Sequence, residues 1–147
     1  QGQGGESNYV ILQEYVPGAE DGDIRVLMLH GEPIGAMRRV PAKDEARSNV
    51  SAGGTVQKHV LTKDEKRLCR IVGKKLVDDG LYFVGLDLIG GKLIEVNVLS
   101  PGGINYINRL MKIRLEKKVI DYLEDVVLMK ESQSRRRAEF RRTVADA

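Results

Sequence analysis

Three oxygen-bearing side chains interrupt two strongly apolar stretches of the sequence. Asp87 lies within residues 85–89, and Glu95 and Asn97 lie within residues 94–98. An acid buried without a partner in such a strand costs several kcal/mol, so these residues need a chemical reason. Mg²⁺ prefers oxygen ligands, usually one or two carboxylates together with substrate phosphates. The pattern predicts a metal site at Asp87, Glu95 and Asn97, and a solvent-facing polar stripe is the alternative.

The pairing register of the two strands decides whether Asp87 and Glu95 share a face. Side chains alternate along a strand, so Glu95 and Asn97 point the same way. An even connecting loop places Asp87 opposite Ile94, whereas an odd loop or a bulge near Gly90-Gly91 places it opposite Glu95. Two carboxylates this close repel each other unless a cation or a proton lies between them. The metal interpretation therefore requires an odd loop or a bulge.

A second group of candidate residues is basic. Arg25 lies on one predicted strand, Arg39 on the strand that returns beside it, and Arg47 in the long loop that follows. Guanidinium forks suit carboxylates and phosphates. Asn49 and Gly53-Gly54 add an amide and a backbone that a ligand can approach closely. These residues predict an anion site, with ordinary surface arginines as the alternative.

The spacing of apolar residues predicts an α+β fold, an antiparallel sheet with helices packed on one face. Thr62 and Glu65 have the spacing of a capping box, which marks the start of a helix. The polar loop over residues 41–55 is long enough to indicate a functional segment. The predicted strands are 9–16, 23–30, 33–40, 81–89 and 93–99, and the predicted helices are 63–79 and 106–129.

The 147 residues divide into a glycine-rich loop (1–8), one domain (9–130) and a basic tail (131–147). A glycine-rich opening before a buried strand suggests a piece of a longer protein. The net charge is +3, and without the arginine-rich tail the body of the chain is close to neutral. Such a tail could contact nucleic acid or a membrane. With a single aromatic residue, Phe140, it offers no stacking platform, and a solvated helix end or a frayed terminus is the preferred interpretation.

The single cysteine, Cys69, is expected to be a small core residue. No internal disulfide can form, which favours a reducing, cytoplasmic setting. No apolar run is long enough to cross a bilayer and no signal peptide opens the chain, so a membrane partner is not expected.

Several motifs together resemble one known family, the bacterial-type glutathione synthetases. The closing motif is Gly-Leu-Asp-Leu-Ile-Gly at residues 85–90, followed by Leu-Ile-Glu-Val-Asn-Val-Leu-Ser-Pro at residues 93–101. Upstream motifs follow in the same order, so that the resemblance covers roughly residues 9–125; they lie at 13–17, 22–27, 31–33, 39–41 and 47–54. The resemblance implies the C-terminal portion of an ATP-grasp fold. It also implies an ATP-dependent ligase that joins γ-glutamylcysteine to glycine through an acyl phosphate.

The resemblance also implies roles for matching residues on the nucleotide side. The strand segment Glu14, Tyr15 and Val16 would hold adenine through backbone groups. Asp23 would reach the ribose, and Arg25 would face the phosphates.

Further implied roles concern the reacting groups. Arg39 would join Arg25 at the phosphates and the acyl phosphate. The residues implied to lie over the peptide substrate are Arg47, Asn49, Gly53 and Gly54. Those implied to hold two Mg²⁺ ions, with Mn²⁺ as the alternative, are Asp87, Glu95 and Asn97.

The chain departs from the family at both ends. The N-terminal substrate domain and two ATP-binding lysines are absent, and Gln3-Gly4-Gly5 resembles a remnant of a glycine-rich loop. The arginine-rich tail is not a family feature. The isolated chain is therefore expected to bind nucleotide poorly and to turn over nothing.

The partners that this interpretation implies are ATP, a dipeptide, an amino acid and the missing N-terminal part of the same enzyme. Nucleic acid is not expected, and a homo-oligomer stays open. Two alternatives remain: an ATP-grasp ligase for another peptide or amino acid, and a non-catalytic nucleotide-binding or basic interaction module.

Overall fold

The computed structural model describes residues 12–42 and 53–145. Within these residues, five antiparallel strands form one sheet in the order β3-β2-β1-β4-β5, so β1 is central. The α+β antiparallel fold is confirmed. The strands are β1 (Asp23–Leu29), β2 (Glu32–Val40), β3 (Thr55–Lys58), β4 (Phe83–Ile89) and β5 (Lys92–Asn97), and the helices are α1 (Lys63–Asp78), α2 (Ile104–Met111) and α3 (Leu115–Ala145). None of the described helices is both long and apolar enough to cross a membrane.

One face of the sheet packs against α1. Thr62 and Glu65 form the predicted capping box, in which the Glu65 amide donates to the Thr62 hydroxyl at 3.2 Å and the Thr62 amide donates to the Glu65 carboxylate at 2.8 Å. This box begins the helix at the predicted residue. The buried residues shared between α1 and the sheet are Ile24, Val26, Met28, Ala36, Cys69, Leu76, Val84, Leu86 and Leu88.

The opposite face carries a smaller core, made by Leu27, Met37, Ile107 of α2 and Leu115 of α3. The sequence predicted helices on one face, but the structure divides them: α1 covers one face, and α2 with the start of α3 covers part of the other. The reason lies in β1, where consecutive residues point to opposite faces and both are buried. A strand buried on both sides is apolar throughout, so its sequence does not show that a second face is covered.

The predicted helix over residues 106–129 is two helices. Lys112 adopts a left-handed conformation (φ 54°) and ends α2. The side-chain oxygen of Asn108 then accepts the backbone N–H of Leu115 at 2.8 Å and caps the start of α3. This side-chain cap joins residues of two elements, which the apolar spacing does not reveal. The predicted domain boundary at residue 130 lies inside α3.

Two further strand predictions differ from the structure. Residues 55–58, which received no prediction beyond the end of the long loop, form β3 and pair with β2. Residues 12–16, predicted as part of a buried strand, are not in a strand, and Leu12 is 97% exposed. Residues with high strand propensity form a strand only where a neighbour supplies hydrogen bonds, and no described strand pairs with this segment.

Gly73 of α1 is expected to resist replacement by alanine. An added Cβ would lie 2.1 Å from the carbonyl oxygen of Gly31, so the helix could no longer approach the β1–β2 turn. In an open helix this substitution would stabilise the protein by about 1 kcal/mol. Here Gly73→Ala is expected to lower the free energy of unfolding by about 1–3 kcal/mol in urea denaturation.

Lys74→Ala provides the control. Lys74 is the next residue of α1, and it is exposed. The effect of this substitution should be within about 0.5 kcal/mol. Equal or greater stability of Gly73→Ala would contradict the close approach of helix and turn.

Candidate functional site

Four charged side chains are buried side by side on the sheet face that α2 covers in part: Asp23, Arg25, Arg39 and Asp87. They come from the three adjacent strands β2, β1 and β4. Asp23 lies opposite Arg39, and Arg25 lies opposite Asp87. Because directly opposed residues of antiparallel strands point to the same face, the ladder places each acid beside a base.

Asp87 is the centre of this charged network and is 3% exposed. Arg25 binds it through two nearly parallel hydrogen bonds, from Nε to Oδ1 at 2.5 Å and from Nη2 to Oδ2 at 2.8 Å. Nη2 of Arg39 lies 2.9 Å from Oδ2, and the side-chain amide of Asn97 donates to the same oxygen at 3.2 Å. Planar forks of this kind fix both the distance and the orientation of the charges.

Arg39 joins Asp87 to Asp23. Its Nε donates to Oδ1 of Asp23 at 2.7 Å, and its Nη2 donates to Oδ2 at 2.5 Å. Arg25 also donates from Nη1 to the carbonyl oxygen of Gly102, immediately before α2, at 3.3 Å. The network therefore ties the three strands to the segment that leads into α2.

The charges of the network stabilise one another despite their burial. Burial alone would raise the pKa of Asp87, but the hydrogen bonds and positive charges of Arg25 and Arg39 outweigh it and hold the pKa below its ordinary value. Burial alone would lower the pKa of Arg39, but the contacts with Asp23 and Asp87 outweigh it and raise the pKa. Asp87 is therefore ionised at neutral pH, and so is Arg39.

The register between β4 and β5 meets the requirement that the sequence set. Gly90 and Gly91 form a two-residue turn, each with positive φ, so Ile89 lies opposite Lys92. An even turn alone would place Asp87 opposite Ile94. Instead the pairing shifts between Leu88, which lies opposite Leu93, and Asp87, which lies opposite Glu95. Ile94 is therefore the extra residue of a bulge.

A cleft of about 570 Å³ opens at the end of β4 and β5 nearest this turn. Ile89, on its floor, is two residues from Asp87 and points to the same face, so the cleft begins roughly 7 Å along the strand from the network. The walls come from the segment before β1 and from the two strand ends; they are Gln13, Glu14, Tyr15, Val16, Ala19, Ile89, Lys92, Leu93 and Ile94.

Comparison with known proteins decides the family. Residues 3–112 match the family described as prokaryotic glutathione synthetase, ATP-grasp domain. The chain belongs to this family. Relatives include glutathione synthetases of Thermosynechococcus vestitus (48% identical over 114 residues), Gloeobacter violaceus (47% over 117) and Synechocystis sp. (49% over 115). These alignments cover 78%, 80% and 78% of this chain but 36% of each relative, so the chain spans about a third of their length.

The family implies a divalent metal, and the donor atoms of this ATP-grasp domain fit one. Each carboxylate oxygen has two lone pairs. Oδ1 of Asp87 accepts one hydrogen bond from the described residues, which leaves a lone pair for an ion. Asn97 donates through its amide nitrogen, so its carbonyl oxygen remains available. Glu95 is exposed across the strand from Asp87, and no hydrogen bond joins it to another described residue.

This donor set does not hold a metal by acidic residues alone. In the described part of the chain, no three His, Cys, Asp or Glu side chains come together as a ready-made metal cluster. Two carboxylates and one amide oxygen would leave half of the positions of an octahedral Mg²⁺ to other oxygens. That suits an ion which binds together with substrate phosphates rather than one held in a permanent cage.

Some of the predicted site residues come together and others do not. Arg25, Arg39, Asp87 and Asn97 form one network, with Glu95 beside it. Glu14, Tyr15 and Val16 line the cleft. Asp23, predicted to reach the ribose, has both carboxylate oxygens engaged by Arg39.

Gly53 and Gly54 are the described members of the set predicted to cover a peptide substrate. Gly53 and Gly54 lead into β3, at the edge of the sheet. Arg47, Asn49 and the Gln3-Gly4-Gly5 segment lie outside the described residues, so their roles stay predictions.

Sequence reasoning missed the floor and one wall of the cleft. Ile89 could have been found, because it is two residues from Asp87 and must share its face. Lys92 could be assigned to the cleft only once the turn length was known, because the turn length places it opposite Ile89. Ile94 could not have been assigned to the cleft, because its direction is set by the bulge.

The network is expected to stabilise the protein in a pH-dependent way through Asp87. Its folded-state pKa is lowered, so its stabilisation is present above the unfolded pKa of about 3.9 and is lost as pH falls through the folded pKa. We expect the difference in unfolding free energy between the wild type and Asp87→Asn to be constant from pH 5 to 7 and to shrink below about pH 4. Urea denaturation across this range measures it, and a difference that grows on acidification would contradict the ion pairs.

Proposed function

We propose that this chain is the C-terminal nucleotide- and metal-binding part of an ATP-dependent carboxylate–amine ligase. The proposed reaction is that of a glutathione synthase, which joins γ-glutamylcysteine to glycine. Family membership and the names of the relatives support the reaction type. The observation that carries the proposal is the position of the cleft, whose lining includes Ile89, two residues along β4 from Asp87, and Ile94, the residue before Glu95.

In this proposal the cleft holds the adenine of ATP. The backbone of Glu14, Tyr15 and Val16 supplies the hydrogen bonds, and the apolar side chains of Ile89 and Ile94 contact the base. The phosphates then extend along β4 towards Asp87. This direction follows from the short strand distance between the floor of the cleft and the charged network.

Arg25 and Arg39 stabilise the negative charge of the phosphoryl group during transfer. Both guanidinium groups are already held by carboxylates, so little reorganisation is needed when the substrate binds. The contacts of Arg39 with described residues use Nε and Nη2, and its Nη1 remains for a phosphate oxygen. Asp23 acts mainly by holding Arg39, and a contact between Asp23 and the ribose stays a prediction.

Asp87, Glu95 and Asn97 are the residues that would hold Mg²⁺, with Mn²⁺ as the alternative. The bound ion supplies positive charge against the phosphate oxygens, where charge develops during phosphoryl transfer. Glu95 is the accessible carboxylate of the set and would hold the ion together with Asp87. Asn97 contributes a neutral oxygen while its amide nitrogen keeps Asp87 in place.

The proposed reaction has two steps. The substrate carboxylate attacks the γ-phosphorus of ATP, so that ADP leaves and an acyl phosphate forms. The glycine amine then attacks the carbonyl carbon, the C–N bond forms and inorganic phosphate leaves. Arg47, Asn49 and Gly53-Gly54 are proposed to lie over the peptide and exclude water, which would otherwise hydrolyse the acyl phosphate.

The proposal requires the N-terminal part of the same enzyme, since the chain spans about a third of its relatives. We also propose a reducing, cytoplasmic setting. Cys69 supports it: the residue is buried and free, and burial followed by the nearby Glu65 charge raises the pKa of its thiol to about 11.

ATP turnover by the full-length protein tests the function. With Mg²⁺, γ-glutamylcysteine and glycine, we expect ADP, phosphate and glutathione in equal amounts. Omission of glycine should suppress steady phosphate release. Equal rates with unrelated dipeptides or amino acids would instead indicate another ATP-grasp ligase. If ATP and Mg²⁺ do not stabilise the protein against thermal unfolding, a basic interaction module without catalysis is indicated.

A further inference from the structure

A glycine, Gly85, interrupts the interior of β4. It is buried and lies two residues before Asp87, so it faces the same side of the sheet. Its φ is not positive, so the backbone conformation of the strand does not require a glycine. Glycine in a strand interior is less favourable than alanine, and it often marks a place where another part of the chain approaches closely.

Two groups occupy the space that a side chain at residue 85 would fill. A Cβ added there would lie 3.4 Å from both Cδ and Nη1 of Arg25 and 3.3 Å from Cβ of Pro101. These separations are shorter than the optimum for packed carbon atoms, so both neighbours would have to move by a few tenths of an ångström. Gly85 therefore lets Arg25 and Pro101 lie directly against the backbone of β4.

Arg25 reaches this space by extending along β4. In the ladder Arg25 lies opposite Asp87, and Leu27 lies opposite Gly85. Nε and Nη2 of Arg25 face Asp87, whereas its Cδ and Nη1 lie beside Gly85. The side chain thus lies diagonally across the two strands, a direction that is open to a long side chain where the diagonal neighbour leaves room.

The segment before α2 lies against Arg25 at the same place. Nη1 of Arg25 donates to the carbonyl oxygen of Gly102 at 3.3 Å, and the neighbouring Pro101 lies against Gly85. A second glycine, Gly103, is also close, because a Cβ added there would lie 3.7 Å from Cγ of Arg25. The backbones of two segments therefore enclose the side chain of Arg25, which is 9% exposed.

We propose that Gly85 is a positioning residue for phosphoryl transfer, because its lack of a side chain sets where the guanidinium group of Arg25 lies. The inference rests on the proposed function, in which Arg25 stabilises the transferring phosphoryl group. Gly85 acts through Arg25 rather than by contact with a substrate. Stabilisation of a transition state depends on groups that are held in a fixed geometry, so a small displacement of Arg25 lowers the rate.

Gly85→Ala in the full-length protein tests the proposal. The displacement of Arg25 should lower kcat for ATP turnover by about tenfold. The KM for ATP should stay within about threefold, because the cleft proposed to hold adenine opens at the other side of Asp87, from Ile89 onwards. A wild-type kcat, or a change in KM alone, overturns the proposal.

A double-mutant cycle with Arg25→Lys tests whether Gly85 acts through Arg25. Lysine keeps a positive charge opposite Asp87 but has no Nη1 atom to lie beside residue 85. In the Arg25→Lys background, Gly85→Ala should therefore lower kcat by less than about twofold. Equal losses of kcat in the two backgrounds would show that residue 85 acts independently of Arg25, against the proposal.

Gly35→Ala is the control for a general loss of packing. A Cβ added at Gly35 of β2 would lie 2.8 Å from Cγ2 of Ile107 and 2.9 Å from Cδ1 of Leu115, and Arg25 is not among its nearest neighbours. This variant should lower the urea midpoint of unfolding and leave kcat of the folded protein within about twofold. A loss of kcat as large as that of Gly85→Ala would attribute both losses to packing and overturn the proposal.

Failure of the proposed function gives a different result. A full-length wild type that turns over no ATP overturns that function. The urea midpoints of the four proteins in the cycle then test the contact between Gly85 and Arg25 without any assay of activity. Midpoint shifts that do not add support the positioning of Arg25 by Gly85, and additive shifts overturn it.

Discussion

Replacing Glu95 by glutamine in the full-length protein is expected to lower ATP turnover by roughly 100- to 1,000-fold while leaving the fold intact. The change removes one negative oxygen ligand, and metal stabilisation of a transferring phosphoryl group amounts to several kcal/mol. Glu95 is exposed and is not part of the buried network, so the free energy of unfolding should change by no more than about 0.5 kcal/mol. Initial rates at saturating ATP, with Mg²⁺ varied, measure the effect, and the Mg²⁺ concentration for half-maximal rate should rise.

Glu32→Gln is the control for this experiment. Glu32 is also an exposed glutamate on a strand, and within residues 12–42 and 53–145 its one ion pair is with the exposed Arg70. Both turnover and stability should be unchanged. If Glu95→Gln retains wild-type turnover at every Mg²⁺ concentration, the metal site does not include Glu95.

Asp87→Asn is expected to lower the free energy of unfolding by about 3 kcal/mol, in addition to abolishing turnover. The substitution removes the negative charge that faces Arg25 and Arg39 and leaves two guanidinium groups buried with too little counter-charge. Urea denaturation at neutral pH measures the loss. The effect is expected to differ from that of Glu95→Gln because Asp87 holds the buried network together in addition to its proposed role as a metal ligand.

Asp121→Asn provides the matched control for Asp87→Asn. Asp121 accepts hydrogen bonds from Lys117 at 2.8 and 2.9 Å, but this pair is exposed on α3. Exposed pairs of this kind contribute about 0.3–0.5 kcal/mol. A loss for Asp87→Asn that is no larger than the loss for Asp121→Asn would mean that the buried network does not stabilise the fold.

The parts of the fold that sequence predicted are those set by local patterns. The capping box at Thr62 fixed the start of α1, and alternation with turn residues located four of the five strands. β3 was missed because a four-residue strand at an edge carries too few alternating residues to be recognised. The break between α2 and α3 was missed because it depends on the side chain of Asn108, seven residues before the amide that it caps.

The candidate site, like the fold, was predictable only where local patterns determine it. Residue types selected Asp87, Glu95 and Asn97, and strand parity showed which of them must share a face. The pairing of Arg25 with Asp87 was not predictable, because it requires β1 and β4 to be neighbours although 62 residues separate the two side chains. Long-range strand order of this kind is a property of the whole sheet rather than of any segment.

Because of the bulge at Ile94, the side chain of residue 94 and the position of Glu95 opposite Asp87 are independent of each other. In a regular hairpin the two would be linked. In a regular ladder, every residue of β5 is committed to one of the two faces, and any change of register moves all of them together. The extra residue lies outside this alternation, so its side chain contributes to the cleft while Glu95 keeps its place opposite Asp87. In the proposed nucleotide site, position 94 can therefore vary in size to suit a different base without displacing Glu95, the carboxylate proposed to hold the metal.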